Sequence, residues 1–136
     1  MTETLNRYAP YALAVLRIVT ALLFIEHGTQ KLFGFPASQM GAGGSLPPLM
    51  LVAGVLELVG GLAVLVGFFT RPVAFILAGE MAIAYWMMHV PMGGLFPVQN
   101  FGEAAIMFCF VFLYLVFAGP GAWSIDAIRS RRLATA

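Results

Sequence analysis

Four apolar runs of roughly 18–24 residues, separated by short breaks rich in Gly and Pro, leave this chain few ways to fold. At about 1.5 Å per helical residue, each can cross a hydrocarbon core about 30 Å thick. The runs fall at about residues 10–32, 46–69, 73–90 and 101–118, and a basic tail follows at 123–136. In lipid every backbone polar group must be satisfied within its own segment, so runs of this length span as helices. The expected fold is therefore all-α, a four-helix transmembrane bundle, with residues 1–136 making one integral membrane domain. A composition that is 61% apolar and only 10% charged agrees with that reading. Arg17 interrupts the first run, and no small-x-small cleavage pattern follows it, so the run reads as a retained helix rather than a signal peptide.

Charge fixes an expected orientation. Grouping the run ends by side puts Arg7, Arg71, Arg129, Arg131 and Arg132 together, against Lys31 alone opposite. By the positive-inside rule both termini face the cytoplasm, giving an N-in/C-in protein of the cytoplasmic (inner) membrane. A net charge of +1 predicts neither a nucleic-acid partner nor an acidic substrate, and the apolar runs make the lipid bilayer the expected partner. The one cysteine, Cys109, excludes thiol–disulfide exchange within the chain.

The punctuation between the runs is specific. Pro47 and Pro48 suit the first turn of the second helix, and the Gly41–Ser45 stretch reads as a flexible loop. Along the second run Gly54, Glu57 and Gly61 lie within roughly 60° of one another on a helical wheel, which places the carboxylate on the face that a neighbouring backbone approaches. Ala74, Ala78 and Ala82 form a similar small-residue stripe on the third run, with Glu80 among them.

Ionisable groups in such segments are expensive and usually functional. Counting from the cytoplasmic side, Arg17 and Glu80 fall at similar depths, roughly 10–12 Å in, with Glu57 somewhat higher. They are expected to form a buried ion pair or a proton relay. A second group gathers outward. Glu26, His27, His89 and Glu103 come from three runs, and Gln30 and Lys31 follow one turn on. His and carboxylate side chains near a buried site are the groups that proton transfer requires. Glu26 lies nine residues from Arg17 and His89 nine from Glu80, so each pair falls on opposite faces of a regular helix. The outer groups are then interfacial, or the helices distort, or a second copy in a homo-oligomer supplies the other wall. No His-x-x-x-His or comparable spacing is present, so no metal is expected. Tyr85, Trp86 and Tyr114 suit core or lipid-facing positions better than a slot for a flat ligand, and Met87, Met88 and Met92 suit packing better than copper.

The motif His27-Gly28-x-Gln30-Lys31-Leu32-Phe33-Gly34 resembles the DoxX family of small bacterial and archaeal membrane proteins. So do Glu57-x-x-Gly60-Gly61, Gly67-x-x-Thr70-Arg71, His89, Gly102-Glu103 and Gly119-Pro120-Gly121-x-x-Ser124-x-Asp126. The likeness covers nearly the whole chain. It implies a four-helix membrane bundle and a role in membrane oxidoreductase assemblies, some linked to quinone.

The expected function is a membrane subunit of a redox system that holds a quinone-like ligand. His27, Glu103, Glu26 and His89 are the expected catalytic groups that handle its protons, and Gln30 and Lys31 the expected ligand-binding ones. The chain carries no flavin, dinucleotide or haem signature and no cysteine cluster, so electrons come from a redox partner protein. Two other classes fit the same residues. A non-catalytic scaffold would use the Gly and Ala faces to dock another membrane protein, and a small transporter or proton pathway would use Arg17, Glu57 and Glu80.

Overall fold

The computed structural model describes residues 2–37 and 47–134. The Gly41–Ser45 loop and the first residue of the second expected run lie outside the described residues. Every regular element among them is helical: α1 Thr2–Phe33, α2 Pro48–Val66, α3 Thr70–Ala84, a π-helical turn Tyr85–His89, α4 Val90–Gly93, α5 Pro97–Asn100, α6 Glu103–Ala118 and α7 Ile125–Ala134. Three stretches are long and apolar enough to cross a membrane: Glu3–Phe33, Pro48–Val66 and Thr70–Gly93. The fourth apolar helix, α6, is shorter at 16 residues.

Of the boundaries that differ from the sequence expectation, two bear on the fold. The first helix begins eight residues before Pro10, which sits inside α1. A mid-helix proline removes one helical N–H; here the Pro10 carbonyl also accepts the N–H of Ala122, 2.9 Å away, from the segment after α6. The third run does not stop at Val90. It passes through the π turn and continues to Gly93, with Pro91 just after the π turn.

Packing is strongest within two pairs, α1 on α2 and α3 on α6. Gly28 explains the first. A Cβ there would lie 2.7 Å from the Leu58 nitrogen and 3.0 Å from the Gly54 carbonyl oxygen, so the two backbones meet at a distance only glycine permits. The pairs join through Phe24, fully buried on α1, whose ring sits edge-on to Phe108 at 5.2 Å and Phe112 at 4.8 Å. Edge-to-face rings add dispersion and quadrupole attraction that survive where lipid removes the hydrophobic drive. A tight turn at 67–69 connects α2 to α3. These two helices touch where Leu77 fills the hollow at Gly60, and farther from the turn they line opposite sides of a cavity.

The turn end of the molecule is held by an accounting of helix termini, whose last carbonyls and first N–H groups lack helical partners. Arg17, 0% exposed, donates through Nε to Pro120 O at 2.8 Å and through its two terminal nitrogens to the carbonyls of Val64, Leu65, Ala122 and Trp123. All five guanidinium N–H donors are thereby used, and two go to the C-terminal turn of α2, where a cation also meets the negative end of the helix dipole. Arg71 does the same for α6, donating to Val116 O and Phe117 O. Asp126 serves the opposite polarity, accepting the N–H groups of Phe69 at 3.0 Å and Thr70 at 2.8 Å at the start of α3. Burial alone would raise the Asp126 carboxyl; the bonds from Thr70 and Phe69 and the Arg129 charge outweigh it and hold it below the ordinary carboxylate range. Gly67 closes α2 at φ 67°, and a Cβ there would strike the Ser124 side chain at 2.3 Å. The guanidinium of Arg129 lies over the Phe68 and Phe69 rings. Arg71, Arg129, Arg131 and Arg132 therefore share one end with the start of α1, as the charge grouping anticipated.

Candidate functional site

Away from that basic end the helices part around a cavity of about 880 Å³. Its wall takes the N-terminal half of α2 from Leu49 to Glu57, the length of α3 from Phe75 through the π turn, the first half of α6, and two residues of α1. Most of the surface is aliphatic, aromatic or thioether. Five titratable groups interrupt it besides Cys109: His27, Lys31, Glu57, Glu80 and His89. The wall includes exposed apolar residues of both α2 and α3, Val52, Ile76 and Ile83 among them.

The charged groups are arranged differently from the sequence expectation. Arg17 does not pair with Glu80 or Glu57, because its donors are spent on five carbonyls at the basic end. Glu57 pairs instead with Lys31, whose ammonium lies 2.7 Å from each carboxylate oxygen. That lysine reaches to Glu57 from the last turn of α1; its side chain is 26% exposed and that of Glu57 is 4% exposed. Depth counted from Pro10 misplaced Arg17, since α1 starts well before it and the guanidinium meets the ends of α2 and α6, not their middles. Glu80 has neither carboxyl oxygen hydrogen-bonded, and both are shielded from solvent.

The two histidines reach the cavity, and a helix distortion accounts for one of them. His89 and Glu80 would oppose each other on a regular helix; the π turn Tyr85–His89 has more residues per turn and narrows the angle between them. Both then face the same space. His89 Nδ1 lies 3.0 Å from the Asn100 carbonyl oxygen, which can only accept, so Nδ1 carries the proton and the neutral ring offers Nε2 as an acceptor. Asn100 is itself fully buried, donating to Gly94 O at 2.7 Å and accepting from Gly102 N at 2.8 Å, which fixes the loop that orients His89. Tyr85 closes that loop through Leu95 O at 2.8 Å. His27 stands edge-on to Phe108, with ring centroids 5.6 Å apart.

The remaining sequence candidates lie outside the wall. Glu26 is exposed on α1, Gln30 donates to Pro36 O at 3.2 Å, and Glu103 is exposed in the first turn of α6. Glu103 is thus not among the residues that line the cavity with His27. Trp86 and Tyr114 are exposed away from the cavity, whereas Met87, Met88 and Met92 line it. No group of three or more His, Cys, Asp or Glu among the described residues is placed to hold a metal. The role of Asn100 escaped sequence reasoning, although a polar residue next to the Gly102 motif was a signal for it. The π turn is the helix distortion that the nine-residue spacing of Glu80 and His89 left open.

Comparison with known proteins places this architecture. The chain is 50% identical over 127 residues to a Haemophilus influenzae protein named only as uncharacterized, covering 91% of this chain and 95% of that one. It is 34% identical to the inner membrane protein YqjF of Escherichia coli, covering 87% and 92% of the two chains. Against the inner membrane protein YphA of the same organism it is 32% identical, covering 86% and 89%. No solved structure matches it significantly. The DoxX family profile matches residues 12–90, which hold α2, most of α1 and the third run as far as the π turn. With its apolar helices and these relatives, the chain is a multi-pass protein of the inner membrane, and it belongs to the DoxX family.

Proposed function

We propose that residues 1–136 form the membrane subunit of a redox system, holding a quinone-like ligand in the cavity between the helix pairs. In this reading α6 completes a fourth crossing, both termini face the cytoplasm, and the cavity lies in the outer half of the bilayer. The observation that carries it is the cavity itself: about 880 Å³ of mostly apolar space, large enough for a substituted aromatic ring, with two imidazoles and an ion pair in its wall. Quinone reduction consumes two protons with two electrons, and imidazoles on the wall are groups suited to deliver protons near neutral pH. His27 and His89 take that role, while Glu26 and Glu103 are exposed outside the wall. Lys31, held by Glu57, orients a ligand oxygen without leaving its partner. Electrons come from a redox partner protein, and a second copy of the chain could close the open side of the cavity.

The test is direct. Lipid extracted from the gently purified chain should contain quinone, and a short-chain quinone should bind saturably in equilibrium dialysis. His27→Gln and His89→Gln should each weaken that binding or slow its reduction in membranes, at unchanged protein level. Absence of both bound quinone and saturable binding would defeat the reading. Glu80 favours a second one, a proton pathway, because both its oxygens are buried without a partner; proton flux in liposomes holding this chain alone separates the two.

A further inference from the structure

Among the charged and imidazole side chains of the cavity, Lys31 and Glu57 neutralise each other at 2.7 Å, His89 is engaged through Nδ1, and His27 packs edge-on to Phe108. Glu80 is the one carboxyl on the wall with neither oxygen bonded. Facing it are His27 and Lys31 on α1, Glu57 on α2, His89 farther along its own run and Cys109 on α6. The one fixed cation among these, Lys31, is already paired. Ionised Glu80 would therefore be the single uncompensated charge on the wall, and a bare carboxylate in apolar surroundings is costly. The resting group is the neutral acid.

The rest of the wall suits a positive guest. Five methionines and three phenylalanines line it, and polarisable sulfur and aromatic faces attract delocalised cations while adapting to their shape. Gly79, next to Glu80 and also on the wall, leaves room for one: a Cβ built there meets nothing within 4 Å.

We infer that the cavity binds lipophilic organic cations in exchange for a proton held by Glu80. On binding, the carboxyl O–H bond breaks, the proton leaves to water, and the carboxylate pairs with the cation; no electrons move. The inference is independent of the quinone reading, since that ligand is neutral and its protons are assigned to the imidazoles.

Tetraphenylphosphonium is the probe, because it keeps its charge at every pH. Calorimetric titration of the purified full chain between about pH 6 and about pH 8 should show Kd falling about tenfold per pH unit while the acid form predominates, with about one proton released per cation in buffers of different ionisation heat. Glu80→Gln should weaken binding at least about tenfold and flatten the pH dependence. Gly79→Phe should fill the open space and abolish binding with an unchanged melting temperature. The native chain and Gly79→Phe decide the matter even if Glu80→Gln fails to fold. Binding without proton release, a pH slope that survives Glu80→Gln, or no saturable binding overturns the inference. A neutral short-chain quinone run in parallel, expected to bind independently of Glu80, keeps failure here distinct from failure of the proposed function.

Discussion

Replacing Lys31 by Met should destabilise the protein far more than replacing its partner Glu57 by Leu, and replacing both should nearly restore it. The asymmetry follows from where each side chain can go. With Lys31 gone, Glu57 is left 3% exposed among apolar neighbours, its two ammonium contacts at 2.7 Å lost. Breaking a buried pair in this way costs about 3–5 kcal/mol. At the slope for a chain of this size, that corresponds to a fall of roughly 10–20 °C in melting temperature. With Glu57 gone, the ammonium sits on a long stem one turn from the end of α1, already 26% exposed, and can turn out to water at smaller cost. The double variant removes both charges and keeps apolar volume, which is often neutral or stabilising. Thermal unfolding in one detergent, followed by helical circular dichroism across the four proteins, gives the coupling energy as a double-mutant cycle. Additive effects, with the double variant as poor as the sum of the singles, would refute the pairing.

At the basic end, Arg17→Lys offers three donors where five are used, leaving at least two carbonyls unmet at roughly 1–3 kcal/mol each. Its loss in detergent melting should add independently to that of Glu80→Gln, whereas coupling between them would restore the ion pair that the sequence suggested. The depressed carboxyl of Asp126 contributes stability that is present above the ordinary carboxylate range and lost as pH falls through its folded value. Asp126→Asn should therefore remove part of the acid-induced loss of melting temperature, and an identical acid profile in wild type and variant would contradict this. With Cys109 replaced, a cysteine at Ser130 should resist membrane-impermeant labelling of intact cells and react after lysis. Labelling from outside would reverse the orientation.

The helical class, the apolar runs themselves and the gathering of arginines at one end were readable because hydropathy and charge act through composition, whereas the start of α1, eight residues before Pro10, was not. The site was readable only as a set of residue types. His27, Lys31, Glu57, Glu80 and His89 were all singled out, but the pairing was not, because the partners of Arg17 are backbone carbonyls and every residue in the sequence has one. Once those carbonyls take Arg17, Lys31 is the cation that meets Glu57, and Glu80 is left without a bonded partner. A wheel with uniform turns puts His89 opposite Glu80 unless the helix distorts, and the π turn is that distortion, though its position was not legible. Glu103 looked like a site member because its depth matched His27. Depth along a helix says nothing of azimuth, and on α6 that carboxylate falls outside the wall that Ala104, Ala105 and Phe108 supply.

The short connection between α2 and α3 acts mechanically as the pivot of a pair of tweezers. Asp126, Arg17 and Gly67 fasten the pivot, and the arms separate beyond the contact of Gly60 with Leu77. An arm of 19 residues is about 28 Å long, so a swing of about 5° at the pivot shifts its far tip by about 2.5 Å. The gauge of the jaws is thus set at the far end of the molecule, and a substitution at Arg17 or Asp126, remote from the cavity wall, would change the width of the opening.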